Sequence, residues 1–348
     1  MSSQLQLTNE WDKVFPQSDE VRHEKVTFRN HFGITLAADV YKPKGAEGKL
    51  PAIAVSGPYG AVKEQSSGLY AQEMAKRGFL TLAFDPSFTG ESGGEPRAIT
   101  SPDFNVEDFQ AAVDYLSNRD DVDANKIAII GVCGWGGMAL QAACIDTRIK
   151  ATVASTMYDM TRVAGNGYFD TDDNSEARHK ARVALSEQRT KDFKSGSLER
   201  AGGVIDPLPT DVPQFVKDYH AYYKTPRGYH ERSLNSTDGW AIQSSTSLLN
   251  TRLLRYGNEI EAPVLIVHGE KAHSRYFGEG AFEMITGEKF EPARAPEPYT
   301  GAAPIGSTKR GNKELLIVEG VSHVDLYDDI NKIPFDNIET FLRESLAL

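Results

Sequence analysis

The chain has 348 residues, enough for one large domain or two, and its 49 acidic and 38 basic residues give a net charge of −11. This acidic balance disfavours nucleic acid or an anionic membrane surface as the main partner. No apolar stretch approaches the ~20 residues needed to cross a bilayer, and the first ten residues lack the pattern of a signal peptide.

The first half of the chain alternates strands and helices. Residues 26–29 and 35–41 alternate apolar and polar side chains, which is typical of a half-buried antiparallel hairpin. Continuous apolar runs further along predict strands buried on both faces. The predicted elements that follow the hairpin are a strand over 51–56, a helix over 69–77 that Gly78 ends, a strand over 79–84, a helix over 106–116, a strand over 126–130, a helix over 138–144 and a strand over 151–157.

The pattern then changes. Residues 160–257 are polar, charged and aromatic and predict helices without a buried strand. Strands resume at 262–268 and 314–318, and an amphipathic helix spans about 335–346. Between those two strands, residues 287–312 are rich in Pro, Gly and charge, which predicts a long surface loop.

This alternation implies an α/β fold with a mostly parallel sheet and helices on both of its faces. We expect residues 1–159 and 258–348 to form that core. Residues 160–257 would then be an inserted helical lid over the carboxyl ends of the strands, where ligands bind in such folds.

A glycine-bracketed turn carries the first catalytic candidate. Gly131, Cys133 and Gly136 nearly reproduce the G-x-S-x-G pattern, in which a nucleophile sits on a strained turn between a strand and a helix. Cys133 is therefore the predicted nucleophile, with a small buried core residue as the alternative. Cys144 lies on an apolar helix face and is predicted to be core. These are the only two cysteines, which favours reduced thiols and a cytoplasmic protein.

A thiol nucleophile needs a base, and the candidate is His323, which follows the last strand and the nucleophile in chain order. The usual position of the acid that orients the base, three residues beyond Gly269, is occupied by Ala272. Asp159 and Glu270 are both candidates for this role, and the sequence leaves the choice open. A Cys–His pair can also work without a third member, because thiols ionise more readily than hydroxyls.

The developing oxyanion needs hydrogen-bond donors. The amide of Gly134 is the first, and Tyr59 supplies the second through its amide or its hydroxyl, because Pro58 has no N–H. Trp135 is either a pocket wall or a helix-packing residue. Tyr222 in the predicted lid offers an aromatic wall for an apolar or aromatic acyl group, or packs the lid onto the core.

Three histidines near the predicted site, His268, His273 and His323, lack a recognisable metal-ligand spacing. We therefore expect a site without metal or cofactor.

At these residues the chain resembles the α/β-hydrolase superfamily, from about residue 20 to the C-terminus. Residues 131–137 are similar to the cysteine elbow of dienelactone hydrolases. The 57–59 turn and the 85–94 loop are similar to those of cocaine-esterase-like and X-prolyl peptidase-like hydrolases. In that group a tyrosine after this strand donates its hydroxyl to the oxyanion hole, which would make the Tyr59 hydroxyl a donor. The resemblance implies the α/β-hydrolase fold.

Three shorter strings narrow the resemblance. Residues 157–160, 269–274 and 322–327 look closest to a branch that includes bacterial YcjY-like hydrolases and fungal polyketide transferases. Ala272 departs from the superfamily pattern, which has an acid at this position. The departure puts the identity of the triad acid in doubt, but not the fold.

The leading expectation is a cofactor-independent hydrolase of carboxylic esters, thioesters or lactones, in which Cys133 forms an acyl-enzyme and His323 moves the proton. An acyltransferase would use the same Cys–His site with an alcohol or amine in place of water. A third hypothesis is a non-catalytic binding protein with a decayed hydrolase pocket. The expected partner is a small-molecule ester or acyl substrate, with a homodimer as a possible assembly.

Overall fold

The computed structural model describes residues 5–290 and 301–348, and within them nine strands form one sheet in the order β1-β2-β4-β3-β5-β6-β7-β9-β8. The strands are β1 (Val21–Arg29), β2 (Thr35–Pro43), β3 (Leu50–Ser56), β4 (Leu80–Phe84), β5 (Val122–Val132), β6 (Ala151–Ser155), β7 (Val264–Gly269), β8 (Gly306–Arg310) and β9 (Lys313–Val318).

The middle of the sheet is parallel. β4, β3, β5, β6, β7 and β9 pair in parallel, whereas β1, β2 and β8 join by antiparallel pairing at the two edges. The central strands are almost wholly buried, and their continuous apolar runs match a sheet that helices cover on both faces. The predicted architecture is therefore confirmed.

Ten α-helices lie in the described part of the chain. They are α1 (Ser66–Lys76), α2 (Pro102–Ser117), α3 (Gly134–Ala143), α4 (Met160–Asn166), α5 (Ser175–Ser195), α6 (Gln214–Tyr223), α7 (Ser244–Asn250), α8 (Arg275–Thr286), α9 (Asp325–Asp328) and α10 (Phe335–Ser345). None of those found in residues 5–290 and 301–348 is long and apolar enough for a membrane crossing.

The segment 160–257 contributes α4 to α7 and no strand of the sheet. That residues 160–257 form a separate lid stays a prediction. Aromatic side chains of this segment do pack on the carboxyl end of the sheet, where Tyr219 contacts His323 and Tyr222 contacts Tyr327.

The predicted loop over 287–312 is wrong in part, because β8 lies within it and pairs antiparallel with β9. Its sequence, Gly-Ser-Thr-Lys-Arg, carries no apolar side chain, and three of its five residues are exposed. An edge strand needs no apolar face and is often charged, so its composition is similar to that of a loop. Composition alone therefore predicts a loop at β8. Residues 291–300 of the predicted loop lie outside the described residues.

Parallel pairing brings the functional candidates together. Tyr59 follows β3, Cys133 follows β5, Thr156 follows β6, Ser274 follows β7 and His323 follows β9. The carboxyl ends of these strands meet at one edge of the sheet, so that edge holds the candidate site.

Candidate active site

Cys133 occupies the turn between β5 and α3 with φ of 56° and ψ of −128°, a region that non-glycine residues rarely adopt. Such a conformation costs on the order of 1–3 kcal/mol and needs support from its surroundings. The Cys133 amide donates to the Ser155 carbonyl at 3.0 Å, and the Cys133 carbonyl accepts from the amides of Gly136 at 2.8 Å and Tyr158 at 2.9 Å. The backbone on both sides thus fixes the strained turn.

The glycines of the turn allow close packing around it. A Cβ on Gly131 would lie 2.1 Å from the Trp135 carbonyl oxygen, and one on Gly136 would lie 2.6 Å from Met157 Cβ. No side chain fits at either position. The glycine pattern that predicted the elbow therefore has a steric cause at each of these sites.

Two amides face the thiol. The backbone N–H groups of Tyr59 and Gly134 both interact with the Cys133 side chain, and each lowers the pKa of the thiol. Donors at these positions also face an oxyanion formed on an acyl group bound to the sulfur. The Tyr59 hydroxyl is paired instead with the Thr100 side chain, and its ring packs against Trp240. Of the two options at Tyr59, the amide faces the sulfur, and the hydroxyl expected from the resemblance does not.

His323 is buried, with 2% of its surface exposed, and both ring nitrogens have partners. Nδ1 lies 2.8 Å from Thr156 Oγ1 and 2.5 Å from Ser274 Oγ. Nε2 lies 2.9 Å from the Tyr327 hydroxyl. Two neutral hydroxyls therefore occupy the side of the imidazole where a triad normally places a carboxylate.

Neither predicted acid reaches His323. Asp159 caps α4, and its Oδ1 accepts from the Thr161 and Arg162 amides at 2.9 and 3.0 Å. Glu270 Oε2 accepts from the Gly320 amide at 2.8 Å. Both carboxylates satisfy backbone N–H groups that helix starts and turns leave unpaired. In residues 5–290 and 301–348, no carboxylate forms an ion pair or hydrogen bond with His323, so the assignment of either acid to the histidine is corrected.

The Tyr327 hydroxyl contacts both Cys133 and His323. It hydrogen-bonds Nε2 of His323 and also interacts with the thiol, where it lowers the pKa of Cys133. Between these two described residues, Cys133 and His323, no direct hydrogen bond forms. Tyr327 is not among the residues predicted from the sequence. Its position four residues after His323, which suits the same face of a helical turn, was the available signal.

Cys133 and His323 are both uncharged before substrate binds. Burial raises the pKa of the thiol of Cys133, a residue only 6% exposed, and this outweighs the lowering by its hydrogen bonds with Tyr327 and with the amides of Tyr59 and Gly134. Burial, with smaller contributions from His273 and His268, holds the pKa of His323 well below its usual range. A neutral thiol therefore faces a neutral imidazole through a neutral phenol.

Tyrosines surround the thiol. The Tyr158 hydroxyl hydrogen-bonds Nε2 of His273, donates to the Tyr168 hydroxyl at 3.4 Å and accepts from the Tyr219 hydroxyl at 3.4 Å. Burial lowers the pKa of His273 to about 3, so this ring is neutral too. Tyr168 is 41% exposed, which places it at the solvent end of the cluster.

The two residues predicted to bind substrate lie elsewhere. Trp135 is 1% exposed and packs edge-on against Phe84 and Phe109 in the core, so it is a helix-packing residue. Tyr222 is fully buried and packs against Tyr223 and Tyr327, and burial, followed by the charge of Asp328, raises its pKa. Tyr222 therefore packs on the Tyr327 ring without a contact to the thiol.

Within the described residues, one group of side chains has the spacing of a metal site, namely Glu64, Asp85 and Glu91. The ammonium of Lys63 lies among them, 2.5, 2.9 and 2.6 Å from Glu64, Asp85 and Glu91 oxygens. The cluster is thus a buried charge network that joins the loop carrying Tyr59 to the loop after β4. Asp85 and Lys63 are fully buried.

Comparison with known proteins shows the family to which the chain belongs. Residues 33–275 match the X-Pro dipeptidyl-peptidase (S15) family. The chain belongs to this family. The S15-family chain is 53% identical over 345 residues to the uncharacterized protein PA2218 of Pseudomonas aeruginosa, covering 99% of this chain and 86% of PA2218. The crystal structure of PA2218 matches with a TM-score of 0.88 and 52% identity, covering 98% of this chain and 99% of that one.

Other relatives place the S15-family chain in the expected branch. The uncharacterized protein YcjY of Escherichia coli is 31% identical over 314 residues, covering 88% of this chain and 93% of YcjY. Polyketide transferase ATR5 of Stachybotrys chlorohalonatus is 36% identical over 132 residues, covering 38% of this chain and 43% of ATR5. The α/β-hydrolase GrgF of a Penicillium species has the same fold, with a TM-score of 0.71, 20% identity and coverage of 94% and 100% of the two chains.

Proposed function

We propose that this S15-family hydrolase cleaves carboxylic esters, thioesters or lactones through an acyl-enzyme on Cys133. One observation carries the proposal: the strained elbow presents the thiol to two backbone amides, those of Tyr59 and Gly134. A buried core cysteine has no need of that arrangement. The resemblance of this elbow to the cysteine elbow of dienelactone hydrolases is consistent with the proposal.

In the proposed reaction the Cys133 sulfur attacks the acyl carbonyl carbon, and the oxygen takes the electron pair of the C=O bond. The amides of Tyr59 and Gly134 stabilise that oxyanion. His323 takes the thiol proton and returns it to the leaving group as the bond to the carbonyl breaks. Water then attacks the acyl-enzyme, and its proton follows the same route.

The charge state of the site favours activated acyl groups. An amine leaving group needs a strong proton donor, and a triad carboxylate normally supports the imidazolium that supplies one. Here Nδ1 of the buried imidazole faces two neutral hydroxyls, those of Thr156 and Ser274, rather than a carboxylate. We therefore expect esters, thioesters and lactones to be better substrates than amides, including X-Pro amides.

The surrounding aromatic side chains support an apolar or aromatic acyl group. Tyr158, Tyr168, Tyr219 and Tyr223 offer ring faces near the thiol, and hydroxyls for a few polar contacts. A small organic acyl compound is accordingly the proposed partner. The cytoplasmic location and the homodimer remain predictions.

Acyl transfer is the second candidate. The thiol is 6% exposed, and a site that excludes bulk water protects an acyl-enzyme until an alcohol or amine enters. The similarity to a polyketide transferase over part of the chain favours the same reaction. Transfer and hydrolysis share the acylation step and differ only in the acceptor.

The test is a panel of p-nitrophenyl esters, acyl thioesters and an X-Pro p-nitroanilide, with and without added alcohols and amines. We expect wild type to turn over the esters and thioesters, Cys133→Ala to lose that activity, and the anilide to react poorly. If the acyl group goes mainly to the added alcohol or amine rather than to water, the protein is a transferase. A protein that binds these compounds but never releases p-nitrophenol would instead be a binding protein with a decayed pocket.

A further inference from the structure

The hydroxyl of Tyr327 contacts both the proposed nucleophile, Cys133, and the proposed base, His323. It lies 2.9 Å from Nε2 of His323 and interacts with the Cys133 thiol, and the thiol has no direct hydrogen bond to His323. In a Cys–His pair these two groups normally touch. For His323 to take the proton of the Cys133 thiol, Tyr327 must therefore either move away or take part in the proton transfer.

We propose that Tyr327 is a catalytic residue that relays the proton between the Cys133 thiol and His323, a role that rests on the acyl-enzyme chemistry proposed above.

The relay balances in both directions. As the Cys133 sulfur forms its bond to the carbonyl carbon, the thiol proton passes to the Tyr327 oxygen, and the Tyr327 hydroxyl proton passes to Nε2 of His323. The C=O electron pair moves onto the oxygen at the Tyr59 and Gly134 amides. When the bond to the leaving group breaks, that pair re-forms the C=O bond. The proton from Nε2 then reaches the leaving atom, and Tyr327 is again a neutral phenol.

The partners at the other nitrogen of His323 suit this direction of transfer. Nε2 can accept a proton only if the neutral ring carries its hydrogen on Nδ1. Nδ1 faces the oxygens of Thr156 and Ser274, both of which can accept that hydrogen. We assign the Nδ1–H tautomer on this ground. The Tyr327 hydroxyl is then the donor to Nε2.

The charges require the two transfers to occur together. Burial raises the pKa of Tyr327 well above its usual value, so a free phenolate is a poor intermediate. Burial also raises the pKa of the thiol and lowers that of His323. A concerted shift avoids both a phenolate and an isolated thiolate, because negative charge develops only on the acyl oxygen.

The surroundings of the ring hold its hydroxyl in place. Tyr327 is 1% exposed, and its ring packs 5.2 Å from Tyr222, 6.2 Å from Tyr223 and 6.5 Å from Tyr219, measured between centroids. The peptide oxygen of the preceding residue, Leu326, accepts from the Tyr70 hydroxyl at 2.8 Å. A pre-positioned hydroxyl is what a relay needs, since little reorganisation is left for the reaction itself.

The experiment measures the acylation rate from the p-nitrophenol burst in wild type, Tyr327→Phe and Tyr222→Phe. Phe keeps the packed ring and removes only the hydroxyl. We expect Tyr327→Phe to slow acylation by about tenfold or more, with KM within about twofold of wild type. Tyr222 is the matched control, because it is equally buried and its hydroxyl bonds to neither Cys133 nor His323. Its substitution should leave the burst rate within about twofold.

A double-mutant cycle separates an effect of Tyr327 that acts through His323 from an effect elsewhere in the site. If Tyr327 acts only through His323, then Tyr327→Phe adds no further loss in a His323→Ala background. Equal fractional losses in both backgrounds, or a wild-type burst rate in Tyr327→Phe, would overturn the relay. Wild type that shows no burst and no acylated Cys133 would instead refute the proposed function. Thermal unfolding of each variant verifies that it is folded.

Discussion

Two hydroxyls lie at Nδ1 of His323, and either one alone can accept its hydrogen bond. One N–H faces two acceptors, Thr156 Oγ1 and Ser274 Oγ, so removal of either leaves the other in place. We expect Thr156→Val and Ser274→Ala each to change the acylation rate by less than about twofold, and the double variant to lose much more.

The size of the loss follows from the change in charge on His323 during the reaction. A hydrogen bond from the neutral ring contributes about 1 kcal/mol, whereas one from the imidazolium contributes about 1.5–3 kcal/mol. Only the difference, about 0.5–2 kcal/mol, affects the barrier. The double variant should therefore acylate about 2- to 30-fold more slowly than wild type.

The assay is the pre-steady-state burst with a p-nitrophenyl ester for wild type, both single variants and the double variant. Asp159→Asn and Glu270→Gln are the controls, because their carboxylates bond to backbone amides rather than to His323. The reasoning fails if the double variant acylates at the wild-type rate. It also fails if either carboxylate control loses more than the double variant, since a carboxylate would then be orienting the base.

Three further predictions concern pH and stability. Because the pKa of Cys133 is raised, the thiol keeps its proton at neutral pH, so its alkylation by iodoacetamide should keep rising above pH 9; a plateau below pH 8 would contradict this. The pKa of His323 is depressed, so the free base persists into acid, and kcat/KM should stay flat from pH 7 to 5.5; a fall with a midpoint near 6.5 would refute it. Lys63→Met leaves the buried carboxylate of Asp85 without its cation, although Arg232 still pairs with Glu64 and Lys25 with Glu91, so the free energy of unfolding in urea should drop by about 3–5 kcal/mol, and an unchanged midpoint would contradict the buried network.

The sequence predicts the fold well because the signals are strong and local. Buried parallel strands read as continuous apolar runs, and the elbow needs glycines on steric grounds. Cys133, His323 and Tyr59 follow from chain order at strand ends, and the structure brings all three to one edge of the sheet, whereas the sequence left open whether the amide or the hydroxyl of Tyr59 is the donor. β8 was missed because an edge strand can be polar and exposed.

The orienting group of the base could not be predicted in the same way. Sequence reasoning sought a carboxylate, and Asp159 and Glu270 were the nearest ones along the chain. Thr156 and Ser274 carry no such signal, because hydroxyls at strand ends are common and only the three-dimensional fold shows which of them meets an imidazole. Tyr327 lies four residues after His323, but this spacing alone does not identify it, because its part in the site depends on packing among other tyrosines.

The most direct measurement is mass spectrometry of the protein quenched within the burst phase of a p-nitrophenyl ester reaction, followed by peptide mapping. The account predicts one acyl group on the peptide that contains Cys133, absent in Cys133→Ala and slower to form in His323→Ala. Turnover that proceeds with no acyl group on Cys133, or full activity in Cys133→Ala, would contradict it.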